Sequence, residues 1–102
     1  MALASANPEP PRHLSRASKR WFRRVRADYE LTEPAFRLLV AACEAWDRTV
    51  EAREAIENDG AYRADRYGQL RPHPALAVER DTRIAFARLV RELGFEGGPD
   101  AG

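Results

Sequence analysis

Cysteine, lysine and methionine each occur once in this 102-residue chain, and histidine occurs twice. One thiol closes no internal disulfide, which excludes a cross-linked secreted scaffold. No apolar run approaches the roughly 20 residues that cross a bilayer, so no membrane association is expected. Cys43, His13 and His73 fall in a helix interior, an arm and a loop, so no metal site is expected from them. Neither GxxxxGK[ST] nor GxGxxG is present, and Gly94, Gly97 and Gly98 suit a helix ending and a tail. No nucleophile pairs with His73, and Glu51 and Glu54 read as a solvated helix face. No catalytic residue and no cofactor are therefore expected, and the chain reads as a non-enzyme. The start, MALASANPEPPRHLSR, lacks the basic and long apolar segments of a secretory signal, which points to a reducing cytoplasm. A chain of this length makes one small domain with a modest core, the situation in which partner subunits often supply further burial.

What the chain does have is charge, unevenly placed. Its 17 basic and 16 acidic residues leave a net charge of +1, yet residues 1–27 carry +6, residues 28–60 carry −6 and residues 61–102 carry +1. Such asymmetry suggests an electropositive end that meets a polyanion and an acidic middle that does not. All but one of the basic residues are arginine and alanine is abundant, as a GC-rich coding sequence also produces. Position therefore has to carry the argument.

The pattern predicts an all-α fold of three main helices with a long central one. Residues 1–13, with Pro8, Pro10 and Pro11, read as a disordered arm, residues 14–95 as the helical domain, and residues 96–102 as a flexible tail. Ser15 is the expected N-cap of the first helix, with Leu14 at the staple position. Leu14, Ala17, Ser18, Trp21, Phe22, Val25 and Tyr29 fall within an arc of about 140°, the face to be buried. Thr32, followed by Glu33 and Pro34, reads as the N-cap of a second helix running to about Asn58. Its apolar positions cover about half the circumference. They suit two partners, the rest of the chain and a neighbouring subunit, with Phe36, Leu38, Ala45 and Ile56 and, on the third helix, Ile84 as the candidate oligomer interface. Glu44, Asp47, Glu51 and Glu54 are assigned to the wet side. Glu33 with Arg37 and Glu44 with Arg48 are expected i,i+4 pairs, and Arg53 either snorkels or meets a distant carboxylate. Gly60 closes the helix. Residues 61–73 allow a small β-hairpin turning near Gly68. Pro74 opens a third helix to Leu93, closed by Gly94 with Phe95 folding back on Val90. Cys43 reads as a small core thiol, and His73 as a helix-entry residue.

The strongest functional signal lies opposite the buried face of the first helix. Arg12, Arg16, Lys19, Arg23 and Arg26 fall within about 80° of one another when the helical phase reaches back to Arg12, with Arg20 and Arg24 on the flank. Cations spaced three to four residues apart on one face can meet successive phosphates of a nucleic acid. A solvated helix face or a surface for an acidic protein gives the same pattern, so a protein-interaction adaptor and a small dimeric DNA-binding regulator stand as alternatives. Trp21, Phe22 and Tyr29 turn away from the stripe and read as core rather than base-stacking groups.

Taken in order, Leu14-Ser15, Trp21, Tyr29, Leu31, a long helix ending at Gly60, Gly68, His73-Pro74 and Leu93-Gly94-Phe95 resemble the short phage terminase small subunits over residues 14–95. The resemblance implies a non-catalytic, ring-forming subunit. It would bind double-stranded viral DNA in the host cytoplasm during virion assembly, and recruit or regulate the large terminase subunit that carries ATPase and nuclease activities. Trp21, Gly60, His73, Pro74, Leu93 and Gly94 carry over as structural positions only. Glu96-Gly97-Gly98 stands where a further turn and a polar extension are expected.

Overall fold

The computed structural model describes residues 9–95. In chain order it contains α1 (Arg16–Asp28), α2 (Glu33–Asp59), β1 (Tyr62–Ala64), β2 (Leu70–Pro72) and α3 (Ala75–Leu93). This is the expected three-helix fold, with the hairpin present. The tail at 96–102 and the first eight residues of the arm lie outside the described residues. Residues 9–13 lie against the bundle, where Pro10 is buried, Glu9 meets Arg23 at 3.3 Å and His13 Nε2 lies 2.7 Å from Glu44 Oε2.

Local chemistry sets the helix limits. The Ser15 hydroxyl accepts from the Ser18 N–H at 3.1 Å, and the Thr32 hydroxyl accepts from the Ala35 N–H at 3.2 Å. Each satisfies one of the orphan donors of a first turn. α3 begins after Pro74, which has no side chain to cap with. His73 does it instead, its Nδ1 accepting the Ala75 N–H at 2.9 Å while Nε2 lies 2.9 Å from Asp59 Oδ2. The exit of α2 and the entry of α3 are thereby tied together, and the contact with His73 holds the Asp59 carboxyl below its ordinary pKa. At the far end Gly94 is left-handed at φ 77°, and the Phe95 N–H reaches the Val90 carbonyl at 3.3 Å, a Schellman ending.

α1 runs antiparallel to the first half of α2, and α3 runs antiparallel along α2. The core is built where all three meet. Leu14, Trp21, Phe22, Val25, Leu39, Ala42 and Cys43 are buried there. Phe22 stands edge-on to Phe36 with centroids 5.5 Å apart, and Phe86 packs against both Trp21 at 6.0 Å and Trp46 at 5.1 Å. Tyr29 departs from the expected face and is 47% exposed. It follows the last helical residue in extended backbone, φ −133° and ψ 144°, so helical phase no longer governs it. Its ring stacks on Phe95 instead, at 4.6 Å.

Beyond α1 the molecule thins to two helices. There Thr49 Oγ1 and Thr82 Oγ1 share a 2.7 Å hydrogen bond, and Arg53 Nε donates to Glu79 Oε2 at 3.0 Å. The hairpin closes this end, giving extents of 61 × 23 × 22 Å and a radius of gyration of 16.8 Å. A compact chain of this length would have a radius of about 13 Å. Elongation follows from the 27-residue α2, which outreaches the core at one end only.

Candidate nucleic-acid interface

α1 positions the cationic stripe, so what fastens α1 sets the geometry of the site. Asp47 of α2 does so. Although assigned to the wet side by sequence, Asp47 is 8% exposed. Its Oδ2 accepts the Ser15 N–H at 2.8 Å, and its Oδ1 accepts the Ser15 hydroxyl at 2.6 Å and the Ser18 hydroxyl at 2.7 Å. A carboxylate at the N-terminus of α1 also meets the positive end of the helix dipole. The clue in the sequence was Ser18, a hydroxyl on the face to be buried and therefore in need of an acceptor. Thr49, also buried, was missed in the same way, its partner Thr82 lying on another helix.

With α1 fixed by Asp47 on one side and by Trp21, Phe22 and Val25 in the core, its opposite side faces solvent. Arg12, Arg16, Arg20, Arg23 and Arg24 are exposed, while Lys19 and Arg26 are half-buried. Among the described residues, Arg12, Arg16 and Lys19 form no ion pair. Arg23 meets Glu9 with both side chains in solvent, a contact that contributes little. Arg20 and Arg24 are engaged within the chain. Arg26 turns from the stripe toward α2, its guanidinium 5.8 Å over the Phe36 ring and its buried Nε without a hydrogen-bond partner. The stripe thus keeps Arg12, Arg16 and Lys19 outside any ion pair among the described residues and Arg23 in a solvent-exposed one, although Lys19 is half-buried and Arg12 lies in the turn before α1, where helical phase does not place it.

Acids of α2 border this surface, and Glu51 and Glu54 line one groove together with Arg16. Glu44 pairs with His13 rather than with Arg48, which turns to Glu51 at 3.3 Å; the expected Glu44–Arg48 pair is not formed, because the chain entering α1 brings the His13 imidazole within 2.7 Å of Glu44. The Glu33–Arg37 pair is present at 3.5 Å. Arg53 resolves its two alternatives by meeting Glu79, with its guanidinium 5.9 Å over the Trp46 ring. Of the candidate subunit-interface residues, Phe36, Leu38, Ala45 and Ile56 are half-buried and Ile84 is 46% exposed.

Other chemistry is sparse. Cys43 is buried, and burial first, then the charge of Asp47, pushes its thiol up to about 12, outweighing the lowering contact from Ser18. Such a thiol stays protonated and unreactive. No group of three His, Cys, Asp or Glu side chains that could hold a metal ion occurs among the described residues. No helix among them is long and apolar enough to cross a membrane.

Compared with known protein families, residues 17–97 match phage terminase, small subunit. The chain belongs to that family. No curated protein and no solved structure matches it. As a terminase small subunit it takes part in viral DNA packaging, and the family is in general a non-catalytic regulatory one. The match includes α1 from Ala17 onward, so most of the cationic stripe lies on the family domain itself; Arg12 and Arg16 precede it.

Proposed function

We propose that this terminase small subunit binds double-stranded viral DNA through the outer face of α1 and the turn before it, centred on Arg12, Arg16, Lys19 and Arg23 with Arg20, Arg24 and Arg26 on its flanks. It acts in the host cytoplasm as a cyclic homo-oligomer that recruits or regulates the large terminase subunit. The observation that carries this reading is the segregation on α1, where Arg16, Arg20, Arg23 and Arg24 are exposed and the rings of Trp21 and Phe22 face the core. Helix stability does not account for it. Arg16 stands in the first turn, where the helix dipole disfavours a cation, so an anionic partner gives that position a reason. A single stripe of four to seven cations is a weak DNA ligand. A ring repeats it with each subunit and raises the effective concentration of every further contact. In this reading Phe36, Leu38, Ala45, Ile56 and Ile84 contribute to the subunit interface.

The test is a variant with Arg16, Lys19 and Arg23 replaced by Ala, titrated against duplex DNA by fluorescence anisotropy over a series of salt concentrations. If all three touch phosphates, affinity falls and the slope of log K against log salt becomes shallower by about 2.7, at about 0.9 per contact. Unchanged affinity and slope in a folded variant would remove α1 from the DNA interface. Binding of the large subunit with no binding of DNA by the unaltered protein would favour an adaptor instead.

A further inference from the structure

The hairpin at the far end of α2 is amphipathic and uncovered. In its register Tyr62 pairs with Pro72 and Ala64 with Leu70, so these four side chains share one face, with Arg63 and Arg71 on the other. Nothing among the described residues covers that apolar face: Tyr62 is 62% and Leu70 72% exposed, and Tyr67 at the tip is 77% exposed. The turn is nevertheless firmly built. The Asp65 carboxylate accepts the Tyr67 N–H at 2.8 Å, the Gln69 N–H at 3.0 Å and Arg71 Nε at 3.1 Å, and Gly68 takes the left-handed conformation that ends such a turn. Arg66 lies beside Tyr67, its guanidinium 5.4 Å over the ring, and forms no ion pair among the described residues. A two-stranded hairpin is marginal by itself, and a rigid, aromatic, cationic tip in solvent calls for a surface to cover it.

A complementary surface exists on the same chain. Between the start of α1 and the middle of α2 runs a groove of about 390 Å³, with Ala17, Trp46 and Val50 in it, Glu51 and Glu54 on its α2 side and His13 and Arg16 on its α1 side. The tip does not occupy its own groove, since Tyr67 and Leu70 are 77% and 72% exposed. It lies beyond Gly60, and Val50 is about 15 Å back along α2 at 1.5 Å per residue. We propose that the hairpin tip of one copy inserts into this groove of the next copy. Tyr67 and Leu70 then cover Trp46 and Val50, and Arg66 meets Glu51 and Glu54. The α2 side of the groove, with Glu51 and Glu54, fits the Arg66 cation while Arg16 on the opposite side stays at the edge of the cationic stripe, and the apolar face of the hairpin gains nothing from phosphates. A second copy therefore fits better than nucleic acid. A contact between two different patches is heterologous, and when its rotation closes it makes a ring. This deepens the proposed function and rests on the ring it assumes.

Charge reversal tests the contact in the full chain. Arg66→Glu alone and Glu51→Arg/Glu54→Arg alone should each lower the mass found by light scattering from that of the unaltered oligomer toward the 11.5 kDa monomer, with helical circular dichroism unchanged. Mixed in equal amounts, the two variants should reassemble, because every tip then finds a groove of opposite charge on the other variant. Tyr67→Cys with Val50→Cys should give disulfide-linked multimers under mild oxidation, whereas either change alone should not. If the unaltered protein is an oligomer and both reversals leave its mass intact, or the mixture fails to reassemble, the tip-in-groove contact is wrong while the ring stands. Loss of DNA binding by Arg66→Glu at unchanged mass would overturn the contact and make the tip a nucleic-acid element. A monomeric unaltered protein at high concentration would overturn both.

Discussion

Replacing Asp47 should release α1 from the bundle. Asp47→Ala removes the acceptor for three donors that lie at 2.8, 2.6 and 2.7 Å, namely the Ser15 N–H, the Ser15 hydroxyl and the Ser18 hydroxyl. A hydrogen bond to a charged acceptor contributes about 1.5–3 kcal/mol, and an unsatisfied buried donor costs about 1–3 kcal/mol. The three do not add fully. The Ser18 hydroxyl can turn to the Cys43 carbonyl, already 3.4 Å away, and the Ser15 hydroxyl still caps the Ser18 N–H. We expect a loss of about 3 kcal/mol for Asp47→Ala and about 2 kcal/mol for Asp47→Asn, whose amide keeps one accepting oxygen but turns a donor toward another. Against a total of roughly 5–15 kcal/mol for a domain of this size, that is a substantial share. Urea unfolding followed by circular dichroism and tryptophan fluorescence, at one fixed protein concentration because assembly would add to apparent stability, measures it. A cycle with Ser15→Ala should show positive coupling between the two side chains. Variants within about 0.5 kcal/mol of the parent, the range of ordinary surface changes, would refute the assignment of Asp47 as the fastening of α1.

Further outcomes follow from the same reasoning. His73→Ala removes the cap of α3 and the tie to Asp59, and should cost about 1 kcal/mol in urea unfolding, the usual loss on removing an N-cap; Asn at the same position, able to accept the Ala75 N–H, should recover part of it. The Asp65 carboxyl is held below its ordinary pKa first by the Gln69 N–H, then by Arg71. A depressed folded-state value means that its contribution to the hairpin is present above the unfolded pKa and is lost as pH falls through the folded one. Amide exchange at Tyr67 and Gln69 should accordingly quicken relative to the helices on acidification, and Asp65→Asn should remove that dependence. The Cys43 thiol, raised to about 12, should resist a thiol reagent at neutral pH in the folded protein and react at once in denaturant; fast reaction in the folded state would show that α1 opens readily from α2.

Much of this molecule depends on interactions within a few residues, and those can be read along the chain. Ser15, Thr32 and Gly94 act on their own helix ends, so the starts of α1 and α2 and the end of α3 follow from capping chemistry alone. Asp65, Tyr67 and Gly68 build the turn that makes the hairpin. The cationic stripe follows from helical period, since each position on α1 has a fixed angle to its neighbours. What period cannot supply is which distant group a side chain meets. Asp47 looks like one more acid on a polar face until α1 folds across it and brings two serines and a bare N–H. Glu44 exchanges its expected partner for His13, 31 residues away, and Arg53 finds Glu79, 26 residues away. Which members of the stripe are left without an ion pair is equally a matter of packing, since Arg26 is drawn over Phe36 while Arg12, Arg16 and Lys19 form no ion pair among the described residues. The separation of groove and hairpin tip, on which the proposed contact between copies depends, exists only once α2 is seen as one unbroken rod. Local rules place charges on a helix, and only tertiary contacts, which join residues far apart in the chain, decide which of those charges are left for another molecule.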